Sequence, residues 1–498
     1  MSPSTTVEVR RGAYHDSVTL MQVSQTVARL DGVEAAQVAM ATELNLDVLR
    51  GMGFSPPDGA GPNDLLVAVR AVDEDAVRRS LAQVDAALAG SSTGGGSSAL
   101  GGQPAPRTTG AAARRTGASL ALISVPGPHA FAEAMDALHS GLSVMLFSDN
   151  VPVDQEIRLK DEAAARGLLM MGPDCGTAAI GGVGLGFANV VRPGPVGLVA
   201  ASGTGAQQLM CLIDGAGIGI SNCIGVGGRD LSAEVNGRAT RQALAMLDAD
   251  PATELIVLVS KPPAEAVAAE ITAYADQLGT PVQLALLGTG RPDLTSAAQA
   301  AVEAVGGSWS EPRSWRPEVA PVRAAGSLRG LFAGGTLCDE AMIIASAELG
   351  AVRSNIPLEP DWALPDDLSA DGHAMIDFGD DRLTQGRAHP MIDQRSRLER
   401  IAREARDPQT SVLLLDVVLG HAAHADPAGE LAPALAQALA VADDDGRELA
   451  VVVSLCGTES DPQGLTATAG ALLGAGAEVH LSNAAAARAA ARLTEVSG

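Results

Sequence analysis

Aromatic residues are almost missing: phenylalanine, tyrosine and tryptophan make up 2% of 498 residues. A chain this short of π-surface offers no stacking platform for bases. Positive charge is scarce too, with 34 lysines and arginines against 59 aspartates and glutamates and a formal net charge of −25. That balance argues against nucleic acid and against an anionic membrane as partners, because holding phosphates requires clustered cations. Any small anionic substrate must be held by a local site that works against the global field. The five cysteines, Cys175, Cys211, Cys223, Cys338 and Cys456, are scattered with no C-x-x-C pair. They show neither zinc spacing nor a disulfide framework, so no metal is expected, and the odd number fits a reducing cytoplasm. The N-terminal MSPSTTVEVRRG has no apolar signal segment, and no apolar run reaches membrane-spanning length. A soluble, cytoplasmic protein is expected.

What the chain does have is hydrophobic content of 46%, and it says one thing twice. Gly197 opens GLVAASGTGAQQL, an apolar strand running into a small-residue turn and a helical pattern; Gly330 opens GLFAGGTLCDEA, the same strand, turn and helix start. DPATELIVLVS from Asp250 is answered by DPQTSVLLLDVV from Asp407, and PVQLALLGTGRPD from Pro281 by LAVVVSLCGTESDPQ from Leu449. Three matched strings in one order at similar spacing indicate two copies of one α/β unit.

Around this repeat the expected fold class is α/β, with several parallel-sheet domains of Rossmann or flavodoxin type. Residues 1–88 alternate strand-like and helical patterns and read as a small N-terminal α/β domain for regulation or assembly. The Ser/Gly/Pro-rich stretch 89–118 reads as a flexible linker. Residues 119–193 read as a Rossmann-like domain, 194–305 as the first repeated unit, 306–327 as a Pro/Trp-rich connector and 328–498 as the second unit.

A strand that ends in Gly/Ser/Thr and feeds a helix leaves the first N–H groups of that helix pointing at one spot, a ready anion site. Ser202, Gly203, Thr204 and Gly205 form one such turn; Gly334, Gly335 and Thr336 form the other. Facing each other, they would hold the two ends of a transferred group. Each is equally readable as an ordinary capped βα turn.

The strings MGPDCGT at 171–177, GPVGLVAASGTGAQQL, IGVGGRD at 224–230 and the strand after Asp250 together resemble the α subunit of succinyl-CoA synthetase. The second copy, with GLFAGGTLCDEA and IDFGDD, looks like the ligase domain of that enzyme's β subunit. RRGAYHDSVTLM, LFSDNV, MGPDCGT, GVGGRDLS, SKPPAEAV, FGDD, GRAHPMID and LLLDVVLG resemble the FdrA family across nearly the whole chain outside the linker. The resemblance implies two tandem succinyl-CoA-synthetase-type units. It further implies a part in allantoin catabolism, as one subunit of an oxamate carbamoyltransferase acting with two companion proteins, on a scaffold long described as an acyl-CoA synthetase.

The synthetase reaction needs a histidine that becomes phosphorylated after the Asp250 strand, yet no histidine lies between residues 140 and 372, and that loop reads VQLALLGTGRPDLTS. No Walker-type phosphate loop is present either. Carbamoyl phosphate is already activated, so a carbamoyltransferase needs only to hold its phosphate, polarise its carbonyl and position the acceptor. For the acceptor, Arg387 suits a carboxylate such as that of oxamate and His389 suits proton transfer, with Pro390 fixing the turn; the alternative is that both cap the helix near Asp393. Asp174 and Cys175, in a Gly-Pro turn, are candidates to accept a proton and to act as nucleophile, or form a tight turn with a buried thiol. Arg229 with Asp230 reads as an anion clamp or a local ion pair, Lys261 as a phosphate contact or an exposed strand end. His421 and His424 read as a solvated loop, since two histidines without a third ligand are weak for a metal. Two further classes stay open: an acyl-CoA ligase subunit binding CoA, for which VPGPHAF at 125–131 is a faint candidate loop, and a non-catalytic assembly subunit.

Overall fold

A computed structural model of the chain describes residues 4–13, 15, 17–57, 59–92, 106–318, 324–384 and 387–495. It divides into two units, Met1–Ala112 with Thr384–Ala388, and Ala113–Leu383 with His389–Gly498.

In the first unit, β1 (Ser4–Arg10), α1 (Ser17–Ala28), β2 (Val33–Met40), α2 (Glu43–Gly51), β3 (Leu65–Ala71) and α3 (Glu74–Ser92) follow in order. The α/β domain expected there has an antiparallel sheet: β3 lies in the middle and runs antiparallel to both β1 and β2. This is the split β-α-β arrangement. The reason can be read in β3, LLVAVRA, which is apolar on both faces. Val67 and Val69 pack on Val23 and Val27 of α1 and Val84 of α3, while Leu66 and Ala68 face Leu49 and Phe54. The predicted linker is shorter than its composition suggested. α3 continues to Ser92 and α4 (Thr109–Thr116) forms beyond it, both in alanine-rich sequence with good helix propensity. Residues 93–105 of that linker lie outside the described residues.

The second unit opens with three parallel strands, β4 (Leu120–Ile123), β5 (Ser143–Leu146) and β6 (Met170–Met171), crossed over by α5 (Gly127–His139) and α6 (Val153–Ala165). A hairpin follows, β7 (Thr177–Ile180) and β8 (Val183–Gly186), and then the first copy: β9 (Pro193–Ala201), α7 (Gly203–Gly215), β10 (Ile220–Gly225), α8 (Arg238–Asp248), β11 (Leu255–Ser260), α9 (Glu265–Ala275), β12 (Val282–Leu286) and α10 (Leu294–Ala304). The predicted connector contributes β13 (Ser314–Trp315), which pairs with a late strand of the second copy, and β14 (Ala324–Ala325).

The second copy comprises β15 (Ser327–Phe332), α11 (Gly335–Leu349), β16 (Arg353–Ser354), β17 (Ala374–Asp377), α12 (Asp381–Thr384), α13 (Arg395–Glu404), β18 (Thr410–Val418), α14 (Pro427–Asp444), β19 (Ala450–Cys456), α15 (Leu465–Gly474), β20 (Glu478–His480), α16 (Asn483–Leu493) and β21 (Thr494–Glu495). The sheets show the repeat directly. One contains the run β12-β11-β9-β10, the other β19-β18-β15-β17, all parallel within the run. Both are buried on both faces, which accounts for continuous apolar strands such as LIVLVS and TSVLLLDVV. Among the described residues no helix is long and apolar enough to cross a membrane.

The copies lock together by exchange. Counting from the helix caps Ser202 and Gly334, Gln208 and Glu340 occupy the same position. Gln208 Nε2 donates to Leu481 O at 2.9 Å, just ahead of α16. Glu340 accepts from Leu294 N at 2.6 Å, at the start of α10, and from Asn483 Nδ2 at 2.7 Å. Each copy's first helix thus reaches a late loop of the other.

Candidate functional site

The two glycine turns do meet, but not around an open space. Ser202 Oγ lies 2.7 Å from Thr336 Oγ1 and also accepts from Gly205 N at 3.0 Å. Ser202 and Thr336 are 3% and 1% exposed, and a Cβ on Gly334 would stand 2.6 Å from Thr204 Cγ2. The hydroxyls expected to donate to a ligand therefore bond each other, because the helix starts pack face to face. The second turn also holds an anion of its own. Asp416, fully buried on β18, accepts from Ala333 N at 2.7 Å and Gly334 N at 2.8 Å, with buried Arg397 3.2 Å away. Gly203 is exposed and Gly335 partly so, leaving these two glycines as the open faces of the pair.

Gly335 looks onto the chemistry. A Cβ there would lie 2.6 Å from Asp377 Oδ2 and 3.0 Å from Lys261 Nζ, so glycine is what lets the backbone approach both. Lys261 follows the end of β11, Asp377 ends β17, Asp339 sits in the second turn of α11 and Asp174 follows β6. Lys261, Asp377 and Asp174 lie at or just past strand ends and Asp339 near the start of the helix that follows one, the region where open α/β sheets bind ligands. Lys261 is half-buried and makes no hydrogen bond or ion pair with any described residue. Burial works against its charge, but Asp339, Asp377 and Asp174 outweigh burial and raise its pKa.

The carboxyls answer in kind. Burial raises Asp377 to about 7, against the opposing pull of Lys261 and of Gly379 N, which donates to Oδ1 at 2.9 Å. Burial raises Asp339 to about 6, with Lys261 again opposing. Asp174 is raised to about 7 by desolvation and by Asp381, although its side chain is open to solvent. Its φ of +54° is in the left-handed region, tolerated best by Asp and Asn among side chains that carry a Cβ. The cluster is one ammonium among three carboxyls that titrate near neutrality, able to bind an oxyanion at nitrogen and exchange a proton at oxygen.

Other sequence expectations change. His389 is not poised near neutrality: burial and the charge of Arg397 push it down to about 4. Its Nδ1 accepts from Met391 N at 3.2 Å, which assigns the ring proton to Nε2. Nε2 faces Gly379, so His389 offers a hydrogen-bond donor and not a base. Arg387 is exposed and lies in the segment that belongs to the first unit, described apart from this centre. Cys175 is 2% exposed, its Sγ turned to the carbonyls of Thr177 and Gly225, and burial drives its thiol far up, which removes it as a nucleophile. Arg229 and Asp230 do not pair with each other. Arg229 binds Glu156 at 2.9 Å and Val151 O at 2.8 Å, while Asp230 caps α8 through Ala239 N and Thr240 N and pairs with buried Lys160 at 2.7 Å. His424 is buried, not solvated, with Nδ1 accepting from Asp426 N and Nε2 3.3 Å from Glu430; His421 is exposed.

Asp339 and Asp377 were not singled out from sequence; of the two signals the sequence carries, one points to their neighbour Lys261 and the other to Asp339. Only two of the 34 basic residues are lysines, Lys160 and Lys261, and both are internal. A chain that otherwise uses arginine keeps a compact point charge at just these positions. The second signal is the repeat itself, since Gln207 in the first copy stands where Asp339 stands in the second.

Residues 1–104 match the family described as AllF, heavy metal-associated domain, and residues 331–493 the family described as CoA-ligase. The first of these segments contains no cysteine, the earliest in the chain being Cys175. The α subunit of a succinate–CoA ligase (ADP-forming) from Aquifex aeolicus (strain VF5) is 29% identical over 180 residues, 35% of this chain and 58% of that subunit. A solved structure of the dinucleotide-forming acetyl-coenzyme A synthetase 1 of Ca. Korarchaeum cryptofilum, in complex with phosphate and ADP, is 16% identical and covers 80% of this chain and 86% of its own. Its TM-score of 0.31 is too low to bear on fold or function. A protein described as "Uncharacterized protein YahF", from Escherichia coli (strain K12), is 40% identical over 495 residues, 95% of each chain. With that identity over nearly its whole length, and a CoA-ligase-type domain on a twice-repeated α/β scaffold, the chain belongs to the family of YahF.

Proposed function

We propose that the chain is a subunit of a carbamoyltransferase of the FdrA kind, transferring the carbamoyl group of carbamoyl phosphate to oxamate in concert with two companion subunits. The observation that carries this reading is Lys261, an ammonium without a protein partner among the described residues, set among Asp174, Asp339 and Asp377 beside the open face of Gly335. In the reaction the acceptor's amide nitrogen attacks the carbamoyl carbon, and the carbon–oxygen bond to phosphate breaks. Phosphate leaves with the bonding electrons, and the N–H proton passes to a carboxylate. Lys261 fits the leaving phosphate. Asp377 and Asp174, half-ionised near pH 7, fit the proton. Nothing in this scheme needs the histidine that is absent between residues 140 and 372.

The test is phosphate release from carbamoyl phosphate and oxamate with the companion subunits present. Lys261→Met removes one charge-assisted contact, worth about 1.5–3 kcal/mol, and should weaken carbamoyl phosphate roughly tenfold to a hundredfold. Full activity in that variant would remove the reading's basis. A second reading, an acyl-CoA ligase subunit, is favoured by the CoA-ligase match over 331–493. It requires thioester formation from a carboxylic acid, CoA and a nucleotide, and a phosphorylated residue that survives base but not acid.

A further inference from the structure

At the N-terminal ends of the second copy's strands, the edge of the sheet opposite Lys261, lies a cavity of about 230 Å³ lined by Arg329, Arg353, Arg400 and Arg403 with three carboxylates, Asp371, Glu404 and Asp407. Four guanidinium groups gather there in a chain whose net charge is −25. Two of them have structural work. Arg329, 2% exposed, binds Glu404 at 3.1 Å and Asp407 at 3.4 Å and donates to Gly372 O and Ala370 O. Arg400, 8% exposed, pairs with Glu404 and donates to Leu368 O at 2.9 Å. Glu404 is further held by Thr410 Oγ1 at 2.9 Å, so both carboxylate oxygens are committed. Together these bonds pin the loop 368–372 as one rigid wall.

The other two are different. Arg353, on edge strand β16, and Arg403, in the last turn of α13, are exposed, and neither guanidinium forms a hydrogen bond or ion pair with a described residue. Two exposed arginines thus line a polar cavity together with two more that are already fixed in place. Their planar forks match a small oxyanion on two sides, the geometry in which arginine outperforms lysine. With Glu404 and Asp407 already engaged by Arg329 and Arg400, the four guanidinium groups exceed the three carboxylates by one charge, a local positive surplus set against the repulsion of the whole molecule.

We propose that this cavity binds a small oxyanion, of the phosphate or short carboxylate class, at a site separate from the Lys261 centre. The experiment is calorimetric titration of the full chain with inorganic phosphate and, in a second arm, with succinate, on wild type, Lys261→Met and the double variant Arg353→Gln/Arg403→Gln. Both arginines are exposed, so the double variant should fold, and circular dichroism checks that it does. The expected result is a millimolar or tighter event that persists in Lys261→Met and is weakened at least about tenfold in the double variant, the loss expected for one charge-assisted pair. The arm that shows it identifies phosphate or carboxylate as the ligand. No binding of either anion to Lys261→Met, or unchanged binding in the double variant, overturns the proposal. Loss of carbamoyl phosphate binding in Lys261→Met bears only on the reaction proposed above.

Discussion

The hydroxyls of Ser202 and Thr336 lie 2.7 Å apart although 134 residues separate them in sequence. Ser202 is the cap of one copy's first helix and Thr336 lies in the first turn of the other's, so this one bond joins the two halves of the repeat where those helices begin. Ser202 also caps α7 by accepting from Gly205 N. Ser202→Ala removes both roles in a buried place and should cost about 1–3 kcal/mol, seen as a lower urea midpoint. Carbamoyl phosphate affinity should stay near wild type. A large loss of affinity in a folded variant would show that the hydroxyl serves the ligand after all.

Asp416 offers a sharper case. It supplies two backbone N–H groups with acceptors and faces Arg397, itself 1% exposed. Asp416→Ala leaves both N–H groups unsatisfied and takes away the carboxylate facing Arg397, which keeps its bonds to Gln394 and to the carbonyls of Leu331 and residue 416; breaking a buried pair from one side typically costs about 3–5 kcal/mol. Asp416→Asn keeps an acceptor and should be milder. Equal denaturation midpoints for wild type and the alanine variant would mean that water replaces the carboxylate there.

The open glycines should separate in function. At Gly335 an added methyl would press on Asp377 and Lys261, whereas at Gly203 its nearest neighbour is Thr177 Oγ1, at an ordinary 3.4 Å. Gly335→Ala is therefore expected to lower turnover about tenfold or more, as a small displacement at a reacting centre does, with the fold retained. Gly203→Ala should fold equally well and lose less. The reverse order in steady-state kinetics would place the reacting group on the first turn.

Stability should fall as pH rises through the weakly acidic range. Asp377 and Asp174 are raised to about 7 and Asp339 to about 6, while unfolded aspartate titrates near 4. Between these limits these three carboxyls hold more protons in the folded chain than in the unfolded chain, which makes their contribution to the slope of unfolding free energy against pH negative, opposed between about 4 and 6.5 by His389, whose pKa is pushed down to about 4. The contribution is fully present below about 4 and gone above about 7. Asp377→Asn, which cannot ionise, should flatten the decline between pH 5 and 8 in urea titrations. If wild type and variant lose stability in parallel over that range, Asp377 is not among the groups that drive it.

Much of this was legible in the sequence because repetition is visible at the level of letters. The strings after Gly197 and Gly330 announced two sheets with one strand order, and the Gly/Ser/Thr turns located their facing helix starts. The sequence was silent where the answer depends on what surrounds a residue. His389 and Cys175 look reactive by type, but burial moves one pKa down and the other up. Asp339 and Asp377 look like any acidic residue, and only folding brings them from different elements to Lys261. The strand directions of the first sheet were not legible, because a β-α-β pattern does not say whether a third strand will insert between the first two.

The exchanged bonds of Gln208 and Glu340 have a consequence for how the molecule could be divided. Each copy lends its first helix to a loop of the other, so neither copy completes its own interior, and the second unit is in effect a two-fold dimer written into a single polypeptide. Tethering sets the effective concentration of one half for the other. A chain interrupted between α10 and β15 would exchange that fixed value for the bulk concentration of its fragments. Assembly would then become second order and stability dependent on dilution, as in an obligate pair of separate subunits.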